Sequence, residues 1–245
     1  MPVYGAQGKA ILMEHLSSGK PLDNVQLNNI ELQDFELENR TLKELSCQRS
    51  ILDNSHFVKC NVYDSVFEES NLKNGTFQFA SFNNVNYNSS ILLRAQFLDS
   101  YLLNGAFKRC YMQRTRFVGC SLKEILFMNV EASRSQFQQS VFSGCDFLFD
   151  DSGGITGLQE STFTDSLFID CSFQGFALTG VNMKNCSFIR CAFGLPDWED
   201  VEIQGNCFVL CSGLPAWKNA PFVEPMVLEK EIEAARFLSE LRGDE

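Results

Sequence analysis

The sequence lacks most of the features on which large classes of protein depend. It has only two histidines, His15 and His56, and it contains no C-x-x-C pair, Walker loop, dinucleotide-binding glycine motif or G-x-S-x-G motif. We therefore expect no enzymatic activity, no cofactor and no metal. No apolar run is long enough to span a bilayer, and the N-terminus has no signal-peptide pattern. We expect a cytoplasmic protein, with export by a route without such a signal left open.

Proline and basic residues are also scarce where they would matter. No proline occurs between Leu22 and Leu195, which suits a backbone whose N–H groups nearly all donate to neighbouring strands. The chain has 20 Lys and Arg against 31 Asp and Glu, a net charge of −11. An acidic surface argues against direct binding to nucleic acid, which requires a basic one.

The sequence does contain a repeat of five residues. Every fifth residue from Leu22 to Phe147 is uncharged and is neither Asn nor Gln, and most of these centres are Leu or Phe. The second residue before a centre is usually small, as Ser50, Cys60 and Gly75 are. Neither a helix nor a strand has a period of five, so the pattern predicts a different regular structure.

Centres that lie 20 residues apart resemble each other, which indicates that four pentapeptides form one turn of a coil. Two aromatic series show this spacing and are offset from each other by ten residues: Phe57, Phe77, Phe97, Phe117 and Phe137, and Phe67, Tyr87, Phe107, Phe127 and Phe147. Successive turns should then stack about 4.8 Å apart, the spacing of neighbouring strands. We expect aromatic columns on two opposite sides of a filled interior.

This pattern resembles the pentapeptide-repeat family, whose loose signature is Ala-(Asp/Asn)-Leu-x-x. Segments such as Ser70-Asn71-Leu72 and Val181-Asn182-Met183 match it, and the resemblance covers about residues 20–210. It implies an all-β solenoid, a right-handed quadrilateral β-helix of stacked four-pentapeptide coils, with short helical caps at the N- and C-termini. It does not specify a function, because one fold supports unrelated activities.

The chain divides into three parts around the repeat. Residues 1–20 predict an N-terminal helical cap, and residues 21–212 form the β-helix, which the sequence Asp-Asp-Ser-Gly-Gly interrupts with a predicted loop at 148–160. Residues 213–245 predict a loop followed by an amphipathic helix over Glu224–Leu241. That helix either caps the last coil or forms a homodimer.

Six residues are candidates for binding a protein partner. Two lie in the predicted loop, two in near copies of a Gly-Leu-Pro-x-Trp segment, and two on the apolar side of the predicted C-terminal helix: Asp150, Asp151, Trp198, Trp217, Leu228 and Ile232. Loops on rigid scaffolds often carry binding, and tryptophan is common at interface centres. The competing interpretation is that the loop is a tolerated insertion and that both tryptophans plug the open end of the coil.

The cysteines follow the repeat and do not form a metal-binding motif. Eight of the ten fall at the small inward position: Cys60, Cys110, Cys120, Cys145, Cys171, Cys186, Cys191 and Cys211. Small buried thiols of this kind behave as hydrophobic residues. Cys171, Cys191 and Cys211 are spaced by 20 residues and should stack as a ladder, which we expect to hold free thiols in a reducing compartment.

Two functions compete. The first is a non-enzymatic protein–protein interaction scaffold, an adaptor or a delivered bacterial effector, that presents a rigid acidic solenoid surface. The second, implied by the family resemblance, is a DNA-mimicking modulator of a type II topoisomerase such as gyrase. Residues 94–134 hold seven basic residues against three acidic ones. Because this basic stretch interrupts a duplex-like acidic surface, the sequence favours the scaffold.

Overall fold

The computed structural model describes residues 6–18, 22–149, 157–194, 198–214 and 226–228. The repeat forms a parallel β-solenoid, which confirms the predicted fold class. Before the interruption, each centre pairs with the centre 20 residues later, as Phe77 does with Phe97 and Phe97 with Phe117. One coil therefore contains four pentapeptides and has four sides.

Three of the four sides are parallel sheets, with eleven, eight and nine strands among the described residues. The eleven-stranded face comprises Leu22–Asp23, Thr41–Lys43, Asn61–Tyr63, Ser81–Asn83, Tyr101–Leu103, Ser121–Lys123, Val141–Ser143, Leu167–Ile169, Ser187–Ile189, Cys207–Val209 and Met226–Leu228. The eight-stranded face comprises Ser46–Gln48, Val66–Glu68, Asn86–Asn88, Ala106–Lys108, Leu126–Met128, Asp146–Leu148, Ser172–Gln174 and Ala192–Gly194. The nine-stranded face comprises Glu36–Glu38, His56–Val58, Thr76–Gln78, Gln96–Leu98, Arg116–Val118, Gln136–Gln138, Thr162–Thr164, Asn182–Lys184 and Glu202–Gln204.

The fourth side, here called the bridge face, has isolated parallel bridges in place of a continuous sheet. Ile91 bridges Tyr111, and similar single bridges run from Glu31 to Ala177. In several coils this side is closed by a turn, in which the N–H of Ala95 donates to the carbonyl of Leu92 over 2.9 Å. Because of the turn, only one residue per coil on this side can pair with the next coil as a strand residue does. The bridge face therefore has single bridges and no continuous sheet in these coils.

Left-handed residues turn the corners between the faces. They stand two positions after a centre, where Asn74 has a φ of 56° and Asn84 a φ of 55°. Asparagine, aspartate and glycine adopt this conformation most easily, and they occupy many of the corners. Other residues are also held there, among them Arg94 and Arg114, with φ of 59° and 58°. The corner position thus projects its side chain outward whatever the residue.

Stacked side chains fill the interior. Phe97 and Phe117 lie 4.8 Å apart with an interplanar angle of 4°. On the opposite side Phe107 and Phe127 stack at 5.2 Å, and edge-to-face contacts such as Phe107–Phe117, at 6.2 Å and 86°, join the two columns. The two opposite columns confirm the prediction, but a third column that was not predicted, Phe142, Phe168, Phe188 and Phe208, stacks along the eleven-stranded face in the later coils. Offset and edge-to-face pairs of this kind add about 0.5–1.5 kcal/mol beyond buried area.

Residues at the small inward position link the coils by hydrogen bonds. The Ser90 hydroxyl accepts the N–H of Ser70 over 3.1 Å and donates to the carbonyl of Phe67 over 3.1 Å. Thiols make the second of these contacts too, as Cys120 does to the carbonyl of Phe97 over 3.2 Å. A small polar side chain is therefore favoured because it satisfies backbone groups inside the coil.

The interruption is shorter than the sequence indicated. The register lengthens from 20 to 26 residues, since Phe137 pairs with Phe163. The predicted loop at 148–160 is wrong at both ends: Leu148 ends a strand, and Gly157 already bridges Glu131. Leu158 is a fully buried centre. Pairing is regular up to Leu148, on the eight-stranded face, and from Gly157, on the bridge face.

Before the first coil lies a helix, Ala6–Ser18. Its Leu12 is buried as part of the solenoid core, and the guanidinium of Arg40 donates to the carbonyl of Leu16 over 2.9 Å. The predicted N-terminal cap requires contacts of this kind between the helix and the first coils. No helix in the described part of the chain is long and apolar enough to cross a membrane.

The end of the chain differs from the prediction. Met226–Leu228 is a strand that pairs in parallel with Cys207–Val209, so the predicted helix over Glu224–Leu241 is wrong for these three residues. The last coil would otherwise present unpaired N–H and C=O groups, and an added strand satisfies them. The remaining residues of that helix, and a homodimer formed through it, lie outside the described residues.

Candidate partner-binding surface

The interior of the described coils leaves no room for a substrate. The phenylalanine centres are almost completely buried, and a void beside Tyr87, Gly105 and Phe107 has a volume of about 10 Å³. That is about the smallest space that holds one water molecule. Any ligand of these coils must therefore bind to their outer surface.

A groove of about 410 Å³ lies on the outside of the solenoid, where the bridge face meets the nine-stranded face. Six polar side chains from three successive coils line it: Arg94, Gln96, Arg114, Arg116, Arg134 and Gln136. We call it the arginine groove. Four of its six residues are cationic, on a protein whose net charge is −11.

Three of the arginines form a column along the corner. Arg94, Arg114 and Arg134 each have a left-handed backbone, with φ of 58° or 59°. Their N–H groups donate to carbonyls of the next coil over distances of 2.8–3.0 Å, to Gln113, Ser133 and Gln159, respectively. Because backbone hydrogen bonds fix each corner to the next, the arginines repeat at the spacing between coils, about 4.8 Å.

The remaining groove residues form a second column on the adjacent face. Gln96, Arg116 and Gln136 are in register on neighbouring strands of the nine-stranded face. Outward side chains of a parallel ladder project side by side, so Arg116 lies between two amides beside the corner column. Guanidinium and amide groups together supply donors over the whole groove.

Only one end of the groove is neutralised. Arg134 donates to Glu160 over 2.7 Å, and this hydrogen bond lowers the pKa of the Glu160 carboxyl. No carboxylate of the described residues lies within ion-pair distance of Arg94, Arg114 or Arg116. The groove therefore holds three exposed cations, Arg94, Arg114 and Arg116, for which the described residues supply no counter-ion.

The sequence indicated the charge of this region but not its shape. The seven basic residues of 94–134 are divided among several sides, because Lys108 ends a strand of the eight-stranded face, Arg109 follows it and Lys123 ends a strand of the eleven-stranded face. The spacing of Arg94, Arg114 and Arg134 was a usable signal. Residues that lie 20 apart occupy the same corner, so the three arginines had to form a column.

Apolar side chains lie in the same coils as the arginines. Ile91 and Tyr111 are neighbours across a bridge and have 38% and 54% of their surface exposed. Each precedes a groove arginine by three residues, which limits the separation of their Cα atoms to about 10 Å. The surface thus offers an apolar and aromatic patch beside a cationic one.

Most of the six candidate residues from the sequence cannot be compared with this surface. Asp150, Asp151, Trp217 and Ile232 lie outside the described residues, and Leu228 belongs to the last strand, Met226–Leu228. None of the six borders the arginine groove among its described lining. A partner-binding role for these residues stays a prediction.

Trp198 is the remaining candidate, and it packs against the solenoid core. Its ring lies 5.3 Å from that of Phe193, and its side chain is partly buried. It stands 20 residues after Leu178 and so continues that column of centres. The arrangement is the one expected of a side chain that plugs the end of the coil.

The thiols lie where the repeat predicted. All ten cysteines are free, and burial raises the pKa of Cys110 to about 12 and of Cys120 to about 11. The ladder contains Cys145 as well, because the register change makes Cys145 the neighbour of Cys171. Within the described residues, no group of three or more His, Cys, Asp or Glu side chains is placed to hold a metal ion.

Comparison with known proteins gives structural likeness only. No protein-family model and no curated protein matches this chain. HetL, a pentapeptide-repeat protein involved in heterocyst differentiation regulation in the cyanobacterium Nostoc sp. strain PCC 7120, is 14% identical. The alignment covers 84% of this chain and 92% of HetL, with a TM-score of 0.42.

Two further structures are similar at a comparable level. Trypsin-treated QnrB1, a plasmid-mediated fluoroquinolone resistance protein, is 16% identical over 86% of this chain and 97% of its own, with a TM-score of 0.35. The pentapeptide-repeat protein Rfr23 from the cyanobacterium Cyanothece 51142 is 11% identical over 58% and 96%, with a TM-score of 0.31. Because these TM-scores are low, the assignment of the fold rests on the repeat and the register of this chain itself.

Proposed function

We propose that this pentapeptide-repeat solenoid is a non-enzymatic scaffold that binds a protein partner through its outer surface, as an adaptor or a delivered bacterial effector. The observation that carries the proposal is the combination of a filled interior with an exposed cationic groove and, in the same coils, the exposed side chains of Ile91 and Tyr111. Arginine and tyrosine are the residues most often found at the energetic centres of protein interfaces.

Rigidity supports the same conclusion. Hydrogen bonds from both the backbone and the small inward side chains connect each coil to its neighbours, as those of Ser70 and Ser90 do. A surface held in this way loses little conformational freedom when a partner binds. A larger share of the interaction energy then appears as affinity.

The proposal is tested by capture and reconstitution. The purified full-length chain, immobilised through a terminal tag, is used to capture proteins from the organism that encodes it, with cross-linking and mass spectrometry. We expect a partner that, once purified, forms a saturable complex with the chain in isothermal titration calorimetry. The proposal fails if every captured protein binds a second solenoid of similar charge equally well.

The topoisomerase interpretation is tested separately with purified gyrase. The net charge of −11 favours a mimic of duplex DNA, whereas the arginine groove interrupts the acidic surface that such a mimic needs. We expect no inhibition of DNA supercoiling at stoichiometric concentrations of this protein. Inhibition at that ratio would instead favour the mimic over the scaffold.

A further inference from the structure

The arginine groove concentrates positive charge on an acidic protein, and this charge has no partner in most of the groove. Arg94, Arg114 and Arg116 are exposed and have no carboxylate of the described chain within ion-pair distance. Stacking like charges at the spacing of the coils is unfavourable unless an anion offsets it. An anion bound in the groove would reduce this repulsion.

Guanidinium groups determine the chemistry of that occupant. Each presents a planar fork of N–H donors that matches a carboxylate in a bidentate arrangement. The corner backbone holds Arg94, Arg114 and Arg134 at regular intervals, so a ligand with several carboxylates can contact more than one of them. Simultaneous contacts raise affinity above that of a single exposed ion pair.

We infer that the arginine groove binds an acidic segment of a partner protein, whose carboxylates contact Arg94, Arg114 and Arg116 and whose apolar side chain packs on Ile91 and Tyr111. This inference rests on the proposed scaffold function and specifies its site and the chemistry of its partner. The apolar pair is the reason for choosing a protein segment over free phosphate, which would have no use for it.

The dimensions of the groove argue against nucleic acid as the occupant. Three arginine rungs span about 10 Å at the spacing of the coils. Duplex DNA carries a negative charge about every 1.7 Å along its axis and would extend well beyond the groove. The cationic surface ends at the coil of Arg134, whose guanidinium is already paired with Glu160, so it is too short to follow a continuing duplex.

The test uses a fluorescein-labelled dodecapeptide, three copies of Glu-Leu-Glu-Ser, and measures its binding to the full-length protein by fluorescence anisotropy. The main variant is Arg94→Asn with Arg114→Asn. Asparagine suits the left-handed corner, so this variant should fold at least as well as the parent chain. The matched control, Lys108→Gln with Arg109→Asn, removes the same charge beside the eight-stranded face, and Arg109 is also a left-handed corner.

We expect the peptide to bind the parent protein with a Kd below about 1 mM. It should bind the groove variant about tenfold more weakly, and its Kd for the control variant should lie within about twofold of that for the parent. Raising NaCl from about 50 to 300 mM should weaken binding. Equal losses in both variants, or no binding up to about 1 mM, overturn the inference. Tighter binding of a twelve-nucleotide single-stranded DNA than of the peptide also overturns it.

Failure of this inference and failure of the scaffold function give different results. If a reconstituted partner binds the groove variant as tightly as the parent chain, the scaffold function stands and the assigned site is wrong. If the parent chain forms no saturable complex with any captured protein but binds the peptide, the scaffold function is wrong although the groove takes acidic segments.

Discussion

At the scale of single residues, Tyr87 stands out among the stacked rings. It lies between Phe67 and Phe107 at centroid distances of 5.0 and 4.8 Å, but its hydroxyl is buried without a hydrogen-bond partner among the described residues. Burial also raises the pKa of this phenol, which therefore stays neutral. An unsatisfied buried hydroxyl costs about 1–3 kcal/mol in comparison with an apolar group of the same shape.

Replacing Tyr87 by Phe should therefore stabilise the protein. We expect the free energy of unfolding to rise by about 1 kcal/mol, because the ring stacking is kept and the unpaired oxygen is removed. Urea denaturation followed by circular dichroism measures the change. Phe107→Tyr is the reverse control and should destabilise. A lower midpoint for Tyr87→Phe would mean that the hydroxyl has a partner in solution.

The sequence predicted this position only in part. The five-residue period identifies residue 87 as an inward centre, and the 20-residue series places it in an aromatic column. Whether a hydroxyl finds an acceptor depends on the ring's orientation and on atoms of other coils, such as those of Gly105 and Ile125 that border the neighbouring void. A one-dimensional pattern contains no information about such distances.

Cysteine reactivity gives a second prediction at this scale. Burial raises the pKa of Cys110, Cys120 and Cys186 to between about 11 and 12, whereas Cys211 is partly exposed and the other nine cysteines are buried. At pH 8 the first three should thus have a small thiolate fraction and little access to reagent, and Cys211 should be the most accessible thiol. Iodoacetamide labelling with peptide mass mapping should modify Cys211 first.

The labelling experiment contains its own control. In about 6 M guanidinium chloride all ten thiols should react at similar rates, because burial no longer distinguishes them. Fast labelling of Cys120 in the native protein, before that of Cys211, would contradict the described packing.

At the scale of the structural element, hydrogen bonds made by the small inward residues should contribute to stability. Ser140 is buried, and its hydroxyl accepts the N–H of Cys120 over 3.1 Å and donates to the carbonyl of Gln138 over 2.9 Å, with that of Phe117 3.3 Å away. Ser140→Ala should lower the free energy of unfolding by about 1–2 kcal/mol, since a buried N–H loses its acceptor. Chemical denaturation measures the loss.

An outward serine on the same face provides the comparison. Ser121→Ala, at the start of the strand Ser121–Lys123, should change stability by no more than about 0.5 kcal/mol. Equal effects of the two substitutions would show that the inward hydroxyl contributes nothing beyond its volume.

Elements that depend on long-range pairing were the hardest to predict. The spacing of Leu228 and Ile232 fits a helix, but Met226–Leu228 forms a strand because the edge of Cys207–Val209 offers unpaired backbone groups. Leu158 was assigned to the loop because of the acidic and glycine-rich residues before it. Its position five residues before Phe163 was a local signal that the repeat had already resumed.

At the scale of the whole molecule, register matters more than composition. This solenoid accommodates one register of 26 residues in place of 20 because the centres after the interruption return to their columns. Phe137, Phe142 and Phe147 all find partners 26 residues later, so the whole solenoid after the interruption is displaced as one unit. A count of charges along the chain could not reveal the arginine groove. Which arginines lie side by side depends on the register of the coils, and that register places Arg94, Arg114 and Arg134 at the same corner.

Removing residues 150–155 tests this interpretation. The deletion joins Phe149 to Thr156 and leaves Thr156, Gly157 and Leu158 as a regular small, outward and centre sequence, with Thr115 as a precedent for threonine at the small position. The offset returns to 20 residues. We expect a folded protein with a melting temperature within about 5 °C of the parent, because shortening the connection between Phe149 and Gly157 changes closure entropy little.

The control removes the same number of residues from a regular coil. Deleting residues 76–81 takes out one pentapeptide and one further residue, so every later centre leaves its column, and we expect no cooperative unfolding transition. If the 150–155 variant also fails to fold, the interruption is part of the fold and not an insertion. If it folds but no longer binds a reconstituted partner, Asp150 and Asp151 belong to the binding surface; unchanged binding means that recognition lies elsewhere on the solenoid.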